Sequence, residues 1–427
     1  MIRSLLAALL LFAVTGCNRA PRDSLDAVAR DYVRTSLTIG EKEAGYIDAY
    51  YGPPELQAAA KADAPKVSLE ALSARVESLR KRATALAVGS DLDVRRARFL
   101  EAQLTAAATR LRMLRGEKLS FEDEAEGLFG VRPKLAPLAS FDRVIAEIDK
   151  IVPGTGPLPD RVEAFANRFT IPPARLKPVF DAAIAECRRR TLAHIKLPAN
   201  ERFDLAFVTG KSWSGYNYYQ GNAHSRIEIN TDLPIRMDRA LDLGCHEGYP
   251  GHHVLNALIE EKLTRGRNWI EYSVYPLYSP QSLIAEGSAN YGIDLAFPGP
   301  EKIAFETKAL YPLAGLSATD AVAYARLQGA LKALVPARFT IARDYLAGRI
   351  DDAEAVALLE RYQLLSKERA EKSLSFVKEY RSYVINYALG QDMVRTSVER
   401  AGSSAGARWK RMEAIISEPT LPSDLER

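Results

Sequence analysis

Three of the five histidines of this chain lie within eight residues of one another, beside a glutamate. The segment reads His246-Glu247-Gly248-Tyr249-Pro250-Gly251-His252-His253. Imidazole and carboxylate groups bind zinc well, and a catalytic zinc site keeps three protein ligands and one open position. A glutamate directly after the first histidine can accept a proton from an attacking water molecule. The segment therefore predicts a hydrolytic zinc site, with His246 as a ligand and Glu247 as the general base.

The spacing of these histidines differs from the common pattern, in which two histidines lie one helical turn apart. Pro250 occupies the position of the second histidine, and His252 and His253 follow His246 by six and seven residues. In a regular helix neither would share a metal with His246. Because proline removes a helical hydrogen bond and glycine permits unusual dihedral angles, we expect a widened turn at Pro250-Gly251. Such a turn would bring His252 to the metal, with His253 as the alternative ligand.

A third ligand has to come from another segment, and Glu286 is the candidate. It lies in a stretch, Ala285 to Gly292, that is predicted to open a helix after a proline-containing loop. Small residues at 285, 287, 288 and 289 would let this helix approach the histidine segment closely. However, an acidic residue near a helix N-terminus also interacts favourably with the helix dipole without any metal. From spacing alone, both interpretations of Glu286 stay open.

The stretch from Tyr380 to Tyr387 is rich in groups that could stabilise negative charge on a carbonyl oxygen during hydrolysis. Tyr383 and Tyr387 are one helical turn apart and could face the same cavity. We predict Tyr387 as the donor to the oxyanion, with Tyr383 as the alternative, and Arg381 as a group that binds a substrate carboxylate. The competing interpretation is a tyrosine-lined interface between helices.

The elements around these residues are predicted to be mostly helical. Apolar residues recur at three- and four-residue steps after Ser24, Ser68 and Ser90, each a suitable N-cap. The first of these helices is predicted to carry Ile47 and to end at Tyr51. Further helices are predicted near 120–129, 140–151, 158–168 and 173–194, and from about 236 almost to the C-terminus, with a nearly unbroken stretch from Ala353 to about Arg400.

The segment between about 202 and 231 has a different pattern. Apolar and polar residues alternate from Phe203 to Val208 and from Ser225 to Asn230, with tyrosines and glycines between these stretches. This alternation predicts a small antiparallel sheet. Since no repeat and no linker are evident, residues 23–427 are predicted to form a single, mostly helical domain.

Residues 1–16 are predicted to be a signal peptide that does not belong to the fold. Arg3 precedes an apolar stretch from Leu5 to Val14, and small residues follow it. The stretch is too short for a permanent membrane-spanning helix, which needs about twenty residues. We therefore predict an exported protein.

The end of this signal, Val14-Thr15-Gly16-Cys17, resembles the bacterial lipobox. The resemblance implies that Cys17 is lipidated and that residues 17–22 are a tether. We expect a protein anchored to the cell envelope on the periplasmic face, with the outer membrane preferred because Asn18 is not acidic. The alternative is an ordinary signal peptide with an incidental cysteine.

Composition excludes some function classes. The 58 basic and 54 acidic side chains nearly cancel, to a net charge of +4, so there is no electrostatic case for binding nucleic acid. No obligate protein partner is evident either. The remaining cysteines, Cys187 and Cys245, are too few for a disulfide framework. Although an exported compartment permits a disulfide, buried free cysteine is common, and we interpret both as core residues.

Several segments of the chain resemble the bacterial domain-of-unknown-function 885 family, which is related to the helical gluzincin metallopeptidases. His246 to His253 matches the family's H-E-G-x-P-G-H-H motif. Glu286-Gly287 with Ala289 and Tyr291 matches E-G-W-A-x-Y, although Ser288 stands where tryptophan is commoner. Weaker matches are the stretch from Tyr46 to Gly52 and the stretch from Tyr387 to Gly390.

The resemblance implies a mainly α, helical gluzincin-like fold with a small antiparallel sheet beside the active-site cleft. It also implies a zinc ion bound by His246, His252 and Glu286, with Glu247 as general base in peptide-bond cleavage. In such peptidases the sheet binds extended peptide by main-chain pairing, and the strand that ends in Ile227–Asn230 is the candidate here. The alternatives are a catalytically inactive lipid-anchored protein that binds a peptide or a metal, and an amide hydrolase that acts on cell-wall fragments.

Overall fold

The computed structural model describes residues 23–426 and shows a mainly helical protein. The predicted signal peptide, the lipobox and Cys17 lie outside the described residues. The helices are α1 Leu25–Gly40, α2 Pro54–Asp63, α3 Leu69–Ala85, α4 Asp91–Leu114, α5 Phe121–Phe129, α6 Asp142–Ile151, α7 Leu158–Asn167, α8 Leu176–Leu192, α9 Met237–Leu243, α10 His252–Ile259, α11 Pro280–Ala296, α12 Glu301–Phe305, α13 Tyr311–Ala314, α14 Ala321–Lys332, α15 Ala337–Leu346, α16 Asp352–Gln363, α17 Lys367–Tyr380, α18 Ile385–Arg400, α19 Ala405–Ser417 and α20 Pro422–Leu425. None of the helices between residues 23 and 426 has the length and apolarity that crossing a bilayer requires.

The strands form two small sheets. They are β1 Ile47–Tyr50, β2 Arg202–Val208, β3 Gly215–Tyr219, β4 His224–Asn230 and β5 Val274–Pro276. β1 pairs with β5, antiparallel, and β4 lies between β2 and β3. The predicted mainly α fold with a small sheet is confirmed, but the sheet over residues 202–230 is mixed, because β4 is parallel to β2 and antiparallel to β3. Alternation of apolar and polar residues predicts strands but does not distinguish these two pairings.

The serine N-caps begin helices as predicted. Ser24, Ser68 and Ser90 each accept a hydrogen bond from the backbone N–H three residues later, at the starts of α1, α3 and α4. The prediction that the first helix carries Ile47 was wrong. The helix ends at Gly40, and Ile47 begins β1 because its backbone pairs with β5, more than two hundred residues away. Local periodicity contains no information about that pairing.

The predicted long helix from Ala353 to Arg400 is divided into α16, α17 and α18. The second break lies at Arg381, a non-glycine residue with φ of +52°. This bend ends α17 and places the turn of residues 381–384 before α18. As a result, Tyr383 and Tyr387 lie on a separate short turn and helix, with ring centroids 6.0 Å apart.

Helix α11 is buried along nearly its whole length, and glycines allow its close packing. A Cβ atom on Gly287 would lie 2.4 Å from the carbonyl group of Gly390 in α18, and one on Gly292 would lie 2.7 Å from the Pro250 ring. Both distances are below any normal contact, so larger side chains would push these elements apart. The predicted approach of this helix to the histidine segment is therefore present, and a second close approach to α18 accompanies it.

Cys187 of α8 and Cys245 are buried core residues, as predicted, but they are not free. They form a disulfide with their Cα atoms 5.6 Å apart, although they are 58 positions apart in sequence. Because Cys245 directly precedes His246, this bond ties the histidine segment to α8. The sequence did not predict the pairing, since it depends on how two distant segments pack.

We expect that removing this disulfide destabilises the fold. In Cys187→Ser/Cys245→Ser, the unfolded chain regains the freedom that the cross-link removes, and the free energy of unfolding falls by roughly 2–4 kcal/mol. Urea unfolding of the variant and of the oxidised wild type measures the difference. Wild type treated with a reductant should unfold like the variant. Equal unfolding midpoints for the variant and the oxidised wild type would contradict the disulfide.

Candidate active site

The helix that carries His246 is interrupted and starts again at His252. Residues Gly244–Gly248 form a wide π-helical turn, and α10 begins at His252. The backbone N–H of Gly251 donates to the carbonyl oxygen of Cys245, at 3.1 Å. A Cβ atom on Gly251 would lie 1.7 Å from the carbonyl oxygen of His246, so only glycine fits at this position. The structure thus contains the widened turn that the proline and glycine predict.

The wide turn brings the imidazoles of His246 and His252 together, with their Nε2 atoms 3.1 Å apart. Glu286 reaches the same point from α11. Its Oε2 atom lies 3.2 Å from Nε2 of His246 and 3.8 Å from Nε2 of His252. These three ligand atoms all lie within 4.8 Å of one another. The structure therefore brings together the three residues that the sequence named as metal ligands.

These residues fit a zinc ion. Oε2 of Glu286 is buried and accepts no hydrogen bond from any group of residues 23–426. A buried carboxylate oxygen without a partner is unfavourable, because it has lost its water without replacement. A cation held by both imidazoles and this oxygen would satisfy all three. Two histidines and one glutamate form a ligand set that catalytic zinc sites use.

Two further side chains orient the ligands. Nδ1 of His246 donates to Oδ1 of Asn290, at 3.1 Å, while the amide nitrogen of Asn290 donates to the carbonyl oxygen of Tyr387. This network assigns the proton to Nδ1 and leaves the Nε2 lone pair free for a metal. The Tyr383 hydroxyl donates to Oε1 of Glu286, at 2.8 Å, which leaves Oε2 as the ligand atom. Sequence reasoning missed Asn290, although its position one turn after Glu286 was a usable signal.

Glu247 is buried beside the three candidate metal ligands His246, His252 and Glu286, which we call the metal cluster. Its Oε1 atom lies 4.0 Å from Nε2 of His246, and its backbone carbonyl accepts a hydrogen bond from the Asn217 amide. A Cβ atom on Gly215 would lie 2.8 Å from Oε1 of Glu247, so glycine leaves room for the carboxylate. Burial raises the pKa of Glu247 to about 7. With such a pKa, the group can both accept and release a proton near neutral pH.

The electrostatic environment also suits the ligands. Burial, followed by the nearby His246, lowers the pKa of His252 to about 4. His252 is therefore neutral at neutral pH, as a metal ligand must be.

Burial opposes ionisation of Glu286, but the nearby His246 and His252 bring its pKa below the usual value. Side chains of His246 and His252 keep 12% and 15% of their surface exposed, so the cluster is reachable from solvent.

The alternative ligand, His253, points away from the cluster. It is fully buried, with Nε2 3.0 Å from Oε2 of Glu201 and Nδ1 2.9 Å from the hydroxyl of Ser225 in β4. Glu201 also accepts a hydrogen bond from the Tyr249 hydroxyl. His253 therefore connects the wide turn to the mixed sheet, and the structure brings only His252 to the metal cluster.

Tyr387 lies against the cluster, with its ring centroid 6.5 Å from that of His246. Burial, followed by the charge of Glu286, raises the pKa of its hydroxyl well above the ordinary value, so the hydroxyl keeps its proton. Within residues 23–426, no protein group forms a hydrogen bond with it. By contrast, the Tyr383 hydroxyl is already bound to Glu286. Of the two tyrosines, Tyr387 is therefore the one that can donate to a substrate.

Arg381 is paired within the protein. Its Nε and Nη2 atoms both lie 2.8 Å from Oε2 of Glu124, a carboxylate whose side chain is only 1% exposed. The same carboxylate accepts hydrogen bonds from the backbone and hydroxyl of Ser382. This arrangement stabilises the bend between α17 and α18. Because Glu124 neutralises the guanidinium, the pairing argues against the predicted role of Arg381 toward a substrate carboxylate.

The sheet places a different strand beside the site than the sequence predicted. The strand that ends in Ile227–Asn230 is β4, and both of its edges are paired, so it cannot add an extended peptide. The edge strand β3 lies next to Glu247 through Gly215 and Asn217. One row of its backbone N–H and C=O groups has no strand partner in the described sheet, as peptide binding by strand addition requires.

A second carboxylate missed by sequence reasoning lies near this edge. Asp48 in β1 accepts a hydrogen bond from the Tyr216 hydroxyl in β3. Burial raises the pKa of Asp48 to about 7, and the charge of Glu286 adds to the effect. Its position inside the stretch from Tyr46 to Gly52, noted above as a weak family match, was the signal for it. The contact connects the two small sheets beside the metal cluster.

Comparisons with known proteins support the fold. No family model matches the chain, and no curated protein matches it. Among solved structures, a protein of Colwellia psychrerythraea described as a lipoprotein is similar with a TM-score of 0.52 and 13% identity, over 85% of this chain and 70% of that chain. The M32 carboxypeptidase of Deinococcus radiodurans R1 is similar with a TM-score of 0.38 and 15% identity, over 94% and 92%. The first likeness shows a shared fold and nothing further, and the second is too low to support a conclusion.

Proposed function

We propose that this protein is a zinc-dependent peptidase. The observation that carries the proposal is that Nε2 of His246, Nε2 of His252 and Oε2 of Glu286 lie within 4.8 Å of one another, with Glu247 beside them. Zinc held by these three residues would polarise the substrate carbonyl and lower the pKa of a water molecule. Amide hydrolysis also needs a proton acceptor and a donor to the oxyanion, and the surrounding side chains include both.

The residues of the chain divide this work. Glu247 accepts a proton from the attacking water and passes it to the leaving amine, for which a pKa of about 7 is suited. Tyr387 donates a hydrogen bond to the oxyanion. Tyr383 and Asn290 hold the ligands in position. The free edge of β3 binds the substrate as an extended strand, which presents a peptide carbonyl next to Glu247.

We further infer an exported protein, anchored to the cell envelope by lipid on Cys17, in which residues 23–427 form a single domain. The predicted signal peptide and lipobox support export and anchoring. The likeness to a protein described as a lipoprotein agrees with them. The disulfide between Cys187 and Cys245 is typical of an oxidising compartment.

Zinc-dependent cleavage of a peptide library tests the proposed function. The full chain, purified from membranes in detergent, should contain about one zinc per molecule. Zinc-loaded protein should cleave a set of peptides, detected by mass spectrometry, and a chelator should stop the cleavage until zinc is restored. Bound zinc without cleavage of any peptide would contradict the proposal in favour of a binding protein. Cleavage confined to cell-wall fragments, tested in parallel, would replace peptides as the substrate class.

A further inference from the structure

Arg338, near the start of α15, forms no side-chain hydrogen bond and no ion pair with residues 23–426. Its Nε atom is buried and forms no hydrogen bond, and no carboxylate of the described chain forms an ion pair with it. Burial lowers the pKa of the guanidinium, and the nearby Tyr387 opposes this shift. Even so, an arginine keeps its charge in proteins. The fold therefore holds an uncompensated positive charge.

Arg338 is partly buried as a residue, and two other arginines of the interior show the usual arrangement. Arg96 lies 2.6 Å from the fully buried Glu271, and Arg110 forms an ion pair with Glu43. A desolvated charge without a counter-charge is unfavourable, and proteins rarely leave one. The Arg338 guanidinium lies 5.8 Å from the ring centroid of Phe376, which offsets part of this loss but supplies no hydrogen-bond acceptor. The missing acceptor is therefore expected in a bound ligand.

A series of aromatic contacts connects Arg338 to Tyr387 and to the metal cluster. The ring of Phe376 is 6.0 Å from the ring of Tyr387, which in turn is 6.5 Å from His246. Two aromatic rings thus separate the guanidinium from a metal ligand. The pKa of Tyr387, raised by burial and by Glu286, is lowered by Arg338, so the cation is within electrostatic reach of the hydroxyl.

We propose that Arg338 binds a carboxylate of the peptide substrate, on the Tyr387 side of the metal cluster. The inference rests on the proposed function and specifies its substrate class. A guanidinium presents two parallel N–H groups that match a carboxylate. Arg338 would thus fill the role that the sequence predicted for Arg381. Arg381 itself is paired with Glu124. The carboxylate belongs either to the C-terminus of the substrate or to an acidic side chain.

Three matched peptides identify the carboxylate. One has a free C-terminal carboxylate and neutral side chains, the second has a C-terminal amide instead, and the third is the amide with one glutamate added. We expect kcat/KM of the wild type to be about 10- to 100-fold higher for a peptide with the correct carboxylate than for the neutral amide. Whether the free acid or the glutamate peptide is preferred identifies the source. In Arg338→Gln, this ratio should fall to about 1, and Arg338→Lys should keep part of it.

A matched control lies in the same helix. Arg343 of α15 is paired with Asp344, and Arg343→Gln should keep both the wild-type activity and the preference. Thermal unfolding shows whether each variant is folded. Equal kcat/KM for all three peptides in the wild type would overturn the inference and leave the peptidase intact. An unchanged preference in folded Arg338→Gln or Arg338→Lys would overturn it as well.

A binding measurement separates failure of this inference from failure of the proposed function. Fluorescent versions of the three peptides are titrated into zinc-loaded Glu247→Gln and into Glu247→Gln/Arg338→Gln. We expect the first variant to prefer the carboxylate peptide and the second to lose that preference. If this result appears while the wild type cleaves nothing, the Arg338 site stands and the peptidase proposal fails. If neither variant has a preference, the Arg338 site fails.

Discussion

Glu247→Gln should lose hydrolysis by about 10²- to 10⁴-fold and keep its zinc. The amide has the size of the carboxylate but cannot accept the proton of the attacking water. Glu247 is not among the three converging ligands, and its Oε1 atom is 4.0 Å from His246, so the substitution leaves the metal-binding atoms in place. The measurements are kcat on a peptide found in the library experiment and zinc content by mass spectrometry.

A control for this variant is a buried glutamate outside the cluster. Glu306 is 6% exposed, and burial raises its pKa to about 8, so it resembles Glu247 in its environment. Glu306→Gln makes the same chemical change and should keep wild-type activity. Full activity in Glu247→Gln would remove this residue from the mechanism, and loss of zinc from it would mean that Glu247 is a ligand.

The neighbours His252 and His253 should respond oppositely to substitution by alanine. His252→Ala removes one of three converging ligand atoms. Since even outer-shell partners of a metal change affinity by about 10- to 100-fold, losing a ligand should lower zinc affinity by more than about 100-fold, with activity lost alongside. His253→Ala leaves the ligands but breaks the contacts with Glu201 and Ser225. It should lower the free energy of unfolding by roughly 1–3 kcal/mol.

Two measurements distinguish these outcomes. Competition with a chromophoric chelator gives the zinc affinity, and urea unfolding of the metal-free proteins gives the stability. His253→Ala should bind zinc almost as tightly as the wild type at a urea concentration where it is folded. The reverse pattern, with zinc lost from His253→Ala and kept by His252→Ala, would make His253 the ligand and contradict the assignment.

Some features could be predicted because they depend on residues close in sequence. The pair His246-Glu247 predicts a hydrolytic metal site from residue types alone. The wide turn was predicted from Pro250-Gly251, since proline removes a helical hydrogen bond and glycine permits unusual dihedral angles. Serine caps predicted the starts of α1, α3 and α4 for the same reason, because a cap contacts backbone three residues away.

Other features depend on segments far apart in sequence. The assignment of His252 rather than His253 as the metal ligand depends on Glu201 and Ser225, which lie more than twenty-five residues upstream. Their contacts with His253 hold its imidazole away from the metal cluster. Arg381 is unable to pair with a substrate carboxylate because Glu124, from a distant segment, already pairs with it. The disulfide forms because Cys187 of α8 packs against Cys245. Periodicity in a single segment cannot contain these contacts, because they arise only when distant elements pack.

The candidate metal site shows what could be predicted from the sequence and what could not. The sequence by itself determined which segment could hold a metal, because the imidazoles and the general base lie within eight consecutive residues. Only the tertiary structure decided which atoms meet there, since Glu286 reaches the histidines from a separate helix that glycines allow to pack closely. The physical reason is that residue type and local turn geometry are properties of a short segment, whereas a ligand set and the charges around it are properties of the packed chain.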